Sequence, residues 1–520
     1  MHTDARTLDG GSTIAGDICV VGAGAAGITI ALELLDSGRR VVLLEGGGFE
    51  YEKQMQDLYR GVNVGLPYYP LDAARLHYFG GTTNHWAGFC STLDPLDFEV
   101  RAWIPNSGWP ITRDELTPYY ARARRILDLA ADEWTADAWQ KRDPSLVQLP
   151  LDPRVAWTKM WQFSRPTRMG TRYRDTIVRS PNVHLYTYAN VVEVVPNDAV
   201  TAVDHVRVRT INGKDHRVRA RHYVLACSTI QNARLLLASN TRTPAGVGNR
   251  RDLVGRYFME HLEMPTGQLV LTSERVPDMN MYMLDFGKTK ARGEIALSAE
   301  MQRVHGMLNA SVSLTPATLS DTEGMSTFQA FPPDSMPSFR RSESSQPQAA
   351  DSVRASRSSS ASSLAPPARR VFDLLTRQEQ APNPDSRVTL DREKDALGMP
   401  RARLDWRLTD VDRRSFRNFY EVLGRELGRA GIGRVRMRDW VMDNGSEWPA
   451  SLGGGWHHMG TTRMHSDPKR GVVDDECRVH GLDNLRVAGA SVFPTAGCAN
   501  PTLTLVALSV RLASLITRVA

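Results

Sequence analysis

The sequence predicts an α/β fold in which the two ends of the chain form one domain and a sheet-rich middle is inserted between them. Residues 16–27, GDICVVGAGAAG, form a short apolar strand that runs into a glycine-rich turn and a helix. Residues 224–239 repeat this strand–helix pattern, and 483–517 close the chain with a strand, a small-residue loop and an apolar helix. At 520 residues the chain is too long for one compact core, so two domains are expected.

The glycine-rich turn has the spacing G-x-G-x-x-G at Gly22, Gly24 and Gly27, and the next strand, 40–44, ends at Glu45. Strand, tight turn, helix, strand and acid together are typical of a Rossmann-type dinucleotide-binding unit. Its glycines let the backbone approach a pyrophosphate at the helix N-terminus, and its acid accepts from a ribose hydroxyl. A carboxylate there disfavours NADP, but the motif alone does not separate FAD from NAD.

The composition is that of an ordinary globular protein, with 41% hydrophobic residues, 23% charged residues and a net charge of +6. No basic block is interleaved with aromatic residues, which argues against nucleic-acid binding. The N-terminus has no apolar signal region, and no apolar run reaches the roughly 18 residues of a membrane span. We therefore expect a cytoplasmic protein without a membrane span, exported only if a signal-bearing partner subunit carries it.

The cysteines are far apart in the sequence, with no CxxC pair and no Cys/His spacing typical of a metal site. They are Cys19, Cys90, Cys227, Cys477 and Cys498. We expect reduced thiols and no metal. The sequence also has no CxxCH haem motif, so a cytochrome that accepted electrons would be a separate chain.

Residues 71–90 are expected to form a loop beside a ligand, because a Gly-Gly turn is followed there by polar residues and Trp86. A helix is predicted after Pro110, since Thr112 and Glu115 have the spacing of a capping box.

Further elements are predicted in the middle of the chain. Alternating patterns predict strands at 183–194, 204–210 and 216–226. Asn212-Gly213 is typical of the hairpin turn between the last two strands. An amphipathic helix is predicted near 411–430.

Several separated strings together resemble one family, the glucose–methanol–choline (GMC) oxidoreductases, which are FAD enzymes. They are VVGAGAAG…LLEGG near the N-terminus, GGTTNHW (80–86), VGRYFMEH (254–261), HHMGTTRM (457–464) and NLRVAGASVFPTAGCANPTLT (484–504). The segments GGTTNHW, SGWPI and SRVTLDREKDALGMP are most similar to the sugar dehydrogenase and pyranose-oxidase-like branch. The resemblance implies FAD rather than NAD, and an α+β substrate domain with an antiparallel sheet over the flavin.

These patterns together divide the chain into two interleaved domains. The discontinuous Rossmann-type FAD-binding domain is expected to comprise 13–100, 180–262 and 453–520, and the substrate domain 101–179 and 263–452. Within the substrate domain, 332–370 is rich in Ser, Pro, Arg and Ala and is interpreted as a disordered excursion.

Oxidation of an alcohol to a carbonyl removes a hydride from carbon and a proton from oxygen. Histidine suits the proton because its ordinary pKa lies near operating pH, although a histidine satisfied by backbone groups is the structural alternative. The resemblance implies that His457 is this base and that His458 points away. Asn500 before Pro501 is by itself a usual helix N-cap followed by proline. The resemblance instead implies that Asn500 binds the substrate hydroxyl.

The resemblance also assigns positions that contact the flavin or its adenine nucleotide. They are Gly81, Asn84, His85, Trp86, Val191, Ala226, Gly489, Ala490, Pro501 and Thr502, in addition to Gly22, Gly24, Gly27 and Glu45. His85 matches a position at which some relatives, but not others, attach the flavin covalently. A helix beginning near Pro501 would direct free N–H groups at the flavin N1–C2 carbonyl, where negative charge develops.

These expectations predict FAD-dependent oxidation of an alcohol group by hydride transfer to flavin N5, with a sugar, glycoside or other polyol as the small-molecule substrate. A lyase or natural-product tailoring enzyme that retains FAD is the alternative. A binding subunit with a degenerate site is disfavoured because His457, Asn500 and the glycines are intact. The electron acceptor, whether oxygen, a quinone or a separate cytochrome, stays open.

Overall fold

The structure is a computed structural model, and it describes 1–131, 133–273, 276, 278–283, 290–318, 325–327, 370–443, 445 and 447–519. The excursion predicted at 332–370 therefore lies, up to residue 369, outside the described residues.

The strands of the described chain form four sheets. They are β1 (His2–Asp4), β2 (Thr13–Ala15), β3 (Ile18–Val21), β4 (Val41–Leu44), β5 (Gly61–Asn63), β6 (Phe89–Cys90), β7 (Ala156–Phe163), β8 (Val183–Thr187), β9 (Asn190–Pro196), β10 (Val203–Arg209), β11 (Asp215–Arg219), β12 (His222–Leu225), β13 (Leu262–Leu271), β14 (Ala291–Leu297), β15 (Ala310–Pro316), β16 (Met325–Thr327), β17 (Val371–Gln378), β18 (Arg387–Lys394), β19 (Pro400–Asp405), β20 (Gly433–Arg438) and β21 (Leu485–Val487).

Helices connect these strands and cover the sheets. They are α1 (Ala25–Glu33), α2 (Lys53–Gln56), α3 (Pro95–Phe98), α4 (Arg113–Ile126), α5 (Ala136–Arg142), α6 (Met169–Arg179), α7 (Thr229–Ala238), α8 (Ala299–His305), α9 (Asp410–Arg429), α10 (Asp439–Met442) and α11 (Pro501–Val519). Among the helices that the structure describes, none combines the length and apolar character needed to cross a membrane.

A six-stranded parallel sheet joins the two ends of the chain, as the sequence predicts. Its strand order is β1-β8-β4-β3-β12-β21, and each neighbouring pair is parallel. Every residue of β3 and of β4 is buried, as expected for parallel strands covered on both faces. The C-terminal helix α11 packs beside α1 and α4, so the last helix stabilises the first dinucleotide unit.

An eight-stranded antiparallel sheet forms the second layer of the protein. Its order is β16-β20-β13-β17-β15-β14-β7-β6. This arrangement confirms the predicted combination of a Rossmann-type sheet with an antiparallel sheet. The domain boundaries stay a prediction; β1 precedes the predicted start at residue 13, and β6, from the predicted 13–100 segment, pairs with β7.

Two of the predicted strands are wrong in one respect. Each was predicted as a single strand, but the structure divides it into two strands that belong to different sheets. The segment 216–226 contains β11, which pairs with β10 in a four-stranded sheet, and β12, which pairs with β3. The segment 183–194 is divided between β8 and β9 at Tyr188, whose φ of 56° interrupts the strand. Alternating hydrophobicity identifies extended chain, but it does not identify the sheet that the chain joins.

Three local predictions are confirmed. The capping box begins α4, where the Thr112 hydroxyl accepts from the Glu115 N–H at 3.2 Å and a Glu115 carboxylate oxygen accepts from the Thr112 N–H at 3.3 Å. The Asn212-Gly213 turn joins β10 to β11, with Gly213 at a φ of 85°. The amphipathic helix is α9.

Candidate active site

A cleft enclosing about 1360 Å³, part of it open to solvent, lies at the carboxyl edge of the parallel sheet. Residues that follow β3, β4, β12 and β21 meet there, because the carboxyl ends of parallel strands lie at one edge. Twelve of the predicted site residues line it: Gly22, Gly24, Glu45, Gly81, Trp86, Val191, Ala226, His457, Gly489, Ala490, Pro501 and Thr502.

The three glycines of the turn are required for different reasons. Gly22 has a φ of 101°, and a Cβ on it would lie 2.9 Å from the Ala226 carbonyl oxygen. A Cβ on Gly27 would lie 1.8 Å from the Gly22 carbonyl oxygen. A Cβ on Gly24 would meet no protein atom within 4 Å. Gly24 is the N-cap of α1 and makes no side-chain cap hydrogen bond, so the first N–H groups of the helix are available to a ligand. The open space at Gly24 leaves room there for a phosphate.

The Glu45 carboxylate is buried at the end of β4 and lines the cleft. One oxygen accepts from the Ala23 N–H and the other from the Gly47 N–H, each at 3.0 Å. Burial raises the pKa of this carboxyl group, and the backbone hydrogen bonds oppose that rise. Each carboxylate oxygen keeps a second lone pair, so Glu45 fits the hydroxyl of a ribose as well as the turn.

Four predicted site residues do not line the cleft. Gly27 faces the carbonyl of Gly22 inside the turn. Asn84 donates its amide to the Phe79 carbonyl at 2.9 Å, so its side chain folds back on its own loop. His85 is exposed, with its ring centroid 6.1 Å from that of Trp456. Asn500 is buried next to the lining residues His457 and Pro501, and its side chain contacts His457.

The side chains of His457 and Asn500 meet although 43 residues separate them in the sequence. The Asn500 Nδ2–H donates to His457 Nε2 at 3.0 Å. The Asn500 Oδ1 accepts from the Trp161 Nε1–H at 2.9 Å, and Trp161 is fully buried in β7. Both ends of the amide are therefore used in the site, so capping of α11 does not account for Asn500.

Two residues of the FMEH segment, Glu260 and His261, make hydrogen bonds to His457. One oxygen of Glu260 accepts from the backbone N–H of His457 at 2.6 Å and from that of His261 at 2.9 Å. The His261 ring places Nδ1 at 3.0 Å from His457 Nδ1 and Nε2 at 2.8 Å from the Gly497 carbonyl oxygen. The sequence places Glu260 and His261 in a family motif, which does not separate a structural role from a place near the site.

Burial dominates the acid–base properties of this cluster. It lowers the pKa of His457 well below the usual histidine range, and the nearby His261 and Arg377 lower it further. Burial also lowers the pKa of His261 to about 4. Both rings are therefore neutral near pH 7. Burial raises the pKa of Glu260 to about 8, against the hydrogen bonds from Tyr68 and the two histidine N–H groups.

The adjacent His458 is directed to other partners. Its Nε2 lies 2.8 Å from the Tyr68 hydroxyl, which also donates to Glu260. Its carbonyl accepts from the Thr229 hydroxyl at 2.6 Å. Tyr68 and Trp161 belong to the cluster without any motif that marks them, so sequence reasoning missed both.

Two family models match this chain. One, described as FAD dependent oxidoreductase, matches residues 17–346, which is more than half of the chain. The other, described as GMC oxidoreductase, matches residues 382–509.

Two enzymes and one solved structure are similar over almost their whole length. The 2-methyl-1,2-propanediol dehydrogenase of Mycolicibacterium austroafricanum is 26% identical, over 96% of this chain and 95% of that enzyme. The fructose dehydrogenase large subunit of Gluconobacter japonicus is 24% identical, over 97% and 98%. The crystal structure of pyridoxine 4-oxidase from Mesorbium loti has a TM-score of 0.56 at 20% identity, over 96% and 98%, and it shows the shared fold. The chain thus belongs to the FAD-dependent oxidoreductases and, within them, to the GMC oxidoreductases.

Proposed function

We propose that this enzyme oxidises an alcohol group of a sugar or another small polyol to a carbonyl, with His457 as the base. The observation that carries the proposal is the 3.0 Å contact between Asn500 Nδ2 and a neutral His457 Nε2 at the cleft. The names of the two similar dehydrogenases, one for a diol and one for fructose, support this substrate class.

The residues that line the cleft would hold FAD along its length. Gly22 and Gly24 would face the pyrophosphate, and Glu45 the ribose. Val191 and Ala226 would contact the adenine half. Bound FAD supplies the acceptor for the hydride that leaves the substrate carbon.

Side chains of the protein would remove the hydroxyl proton of the alcohol. A neutral His457 has a lone pair on Nε2, which can take the hydroxyl proton of an alcohol. When an alcohol binds, its oxygen would replace His457 Nε2 as the acceptor of the Asn500 Nδ2–H. This exchange would free the Nε2 lone pair and hold the hydroxyl group beside it. The Trp161 indole keeps the amide in this orientation because, as a donor only, it must face Oδ1.

The start of α11 would contribute through its backbone. Pro501 and Thr502 line the cleft at the first turn of this helix. The N–H groups of a first turn have no partner within the helix and carry a partial positive charge. They would stabilise negative charge that develops on the flavin ring.

A panel of sugars, glycosides and diols tests the proposed reaction. The purified enzyme should be yellow, and at least one member of the panel should bleach the flavin absorbance under anaerobic conditions. Readmission of oxygen, or addition of a quinone or cytochrome, should then identify the acceptor. Complete turnover of a substrate with the flavin oxidised throughout would contradict the proposal and favour the lyase alternative.

Substitution of Gly24 by alanine should weaken FAD binding and leave the fold intact. The added methyl group meets no protein atom within 4 Å, but it would occupy the space that we assign to a phosphate. We expect the Kd for FAD to rise at least about tenfold, which corresponds to about 1.4 kcal/mol. Titration of the apoprotein with FAD by calorimetry measures the Kd.

Gly10→Ala is the matched control, because its added Cβ also meets no protein atom within 4 Å. Gly10 lies in an exposed turn outside the cleft. Urea unfolding of both apoproteins should give a free energy of unfolding within about 0.5 kcal/mol of the parent value. Equal FAD affinities for the two variants would refute the placement of a phosphate at Gly24.

A further inference from the structure

The polar groups behind His457 form a chain in which the direction of each hydrogen bond follows from its neighbour. At one end, His261 Nε2 lies 2.8 Å from the Gly497 carbonyl oxygen. A carbonyl oxygen only accepts, so His261 Nε2 must carry the hydrogen. Because His261 is fully buried and neutral, its Nδ1 then has a lone pair and accepts.

The next link fixes His457. Its Nδ1 lies 3.0 Å from the accepting Nδ1 of His261, so it must carry the hydrogen. Neutral histidine has one N–H, which leaves Nε2 of His457 as the acceptor.

The other end of the chain gives the same result independently. The Trp161 indole only donates, so the Asn500 atom that faces it is Oδ1. The atom that faces His457 is then Nδ2, a donor, and His457 Nε2 must accept. Reversal of His457 would bring two N–H groups together at Nε2 and two lone pairs together at Nδ1.

We propose that His261 is a positioning residue that holds His457 in the tautomer with the hydrogen on Nδ1, so that Nε2 is the basic nitrogen. The catalytic consequence rests on the proposed function, in which Nε2 takes the substrate proton.

The backbone of His457 is held by a separate contact. Its N–H and that of His261 both donate to Glu260, which is fully buried. The main-chain position of His457 therefore does not depend on the His261 ring. Substitution of that ring should act mainly on the tautomer and orientation of the His457 imidazole.

Two amide variants separate the two contacts of His261. In His261→Asn, Oδ1 falls near the position of Nδ1, so the acceptor for His457 remains and the donor to Gly497 is lost. In His261→Gln, the longer amide reaches the position of Nε2, so the donor to Gly497 remains and the acceptor is lost. If His261 serves only to tether the Gly497 loop, the glutamine variant should reduce its flavin faster than the asparagine variant. If His261 controls the tautomer of His457, the asparagine variant should be the faster one.

We expect the rate of anaerobic flavin reduction at saturating substrate to fall about 100-fold in His261→Gln, because the group that orients the catalytic base is lost. In His261→Asn that group is retained, and the rate should fall less than about tenfold. The loss should appear in kcat rather than in KM, because the substrate contact of Asn500 is kept. A slower asparagine variant, or equal rates together with an unchanged His457 tautomer in His261→Gln, would overturn the proposal.

Nitrogen-15 NMR of histidine-labelled, FAD-loaded protein reads the tautomer without turnover. The His457 signal is identified by its absence from His457→Ala. The Nδ1–H pattern is expected in the parent and in His261→Asn, and a mixed pattern in His261→Gln. An Nε2–H pattern in the parent would overturn the inference even if sugars bleach the flavin.

The same two measurements distinguish failure of the inference from failure of the proposed function. If the tautomer changes in His261→Gln while flavin reduction keeps the parent rate, the tautomer inference holds and His457 is not the base. Circular dichroism identifies a variant that does not fold. In that case the His457 tautomer of the parent enzyme, measured by nitrogen-15 NMR, tests the inference without the variants.

Discussion

Replacement of His457 by alanine is expected to slow anaerobic flavin reduction by about 10²- to 10⁴-fold, the contribution typical of a positioned general base. The methyl group cannot take the hydroxyl proton, and the Asn500 amide loses the nitrogen to which it donates at 3.0 Å. FAD binding should persist, because the glycine turn and Glu45 lie on other segments of the cleft. Stopped-flow absorbance with the best substrate from the panel measures the rate.

His305→Ala is the matched control for this variant. His305 ends α8, and its backbone carbonyl, which alanine retains, accepts from Asn418 at 2.9 Å. The control should reduce its flavin at the parent rate, and both variants should keep the parent ratio of flavin to protein absorbance. A His457→Ala enzyme that bleaches as fast as this control would show that another group takes the proton.

The dinucleotide unit was predictable because its requirements are local. The backbone at Gly24 can face a phosphate only where a strand, a tight turn and a helix follow one another. The spacing of the glycines therefore predicts this local structure. Gly27 has a different role from the one that its place in the motif suggests. The motif marks it as a cofactor residue, but the structure gives it a packing role against the Gly22 carbonyl.

The supporting residues of the site depend on tertiary structure, which the sequence pattern does not record. Trp161 reaches Asn500 only because β7 lies in the antiparallel sheet that covers this part of the chain. The His261 ring reaches His457 across 196 residues of sequence. Family resemblance predicted the convergence of His457 with Asn500, but the direction of the hydrogen bonds between them required the positions of all their partners.

Substitution of Asn500 by aspartate should inactivate the enzyme near neutral pH by reversing the polarity of this contact. One carboxylate oxygen would still accept from Trp161, and the other would face His457 Nε2 in place of an N–H donor. Two acceptors at this distance repel unless a proton lies between them, so the aspartate stabilises protonated His457 and raises its pKa. A protonated Nε2 cannot take the hydroxyl proton, and we expect flavin reduction at pH 7 to fall about 100-fold.

The pH dependence separates this charge effect from simple loss of the amide. In the parent, burial lowers the pKa of His457 well below 6.5, so the base stays neutral and the rate should persist to pH values below the usual histidine range. In Asn500→Asp the raised pKa should shift the acid limb of the rate to higher pH, with partial recovery of activity under alkaline conditions. Asn500→Ala removes the amide without adding charge, so it should slow the reaction at every pH and shift the acid limb far less than Asn500→Asp does. An acid limb at the parent position in Asn500→Asp would show that the Asn500 side chain does not face the base during catalysis.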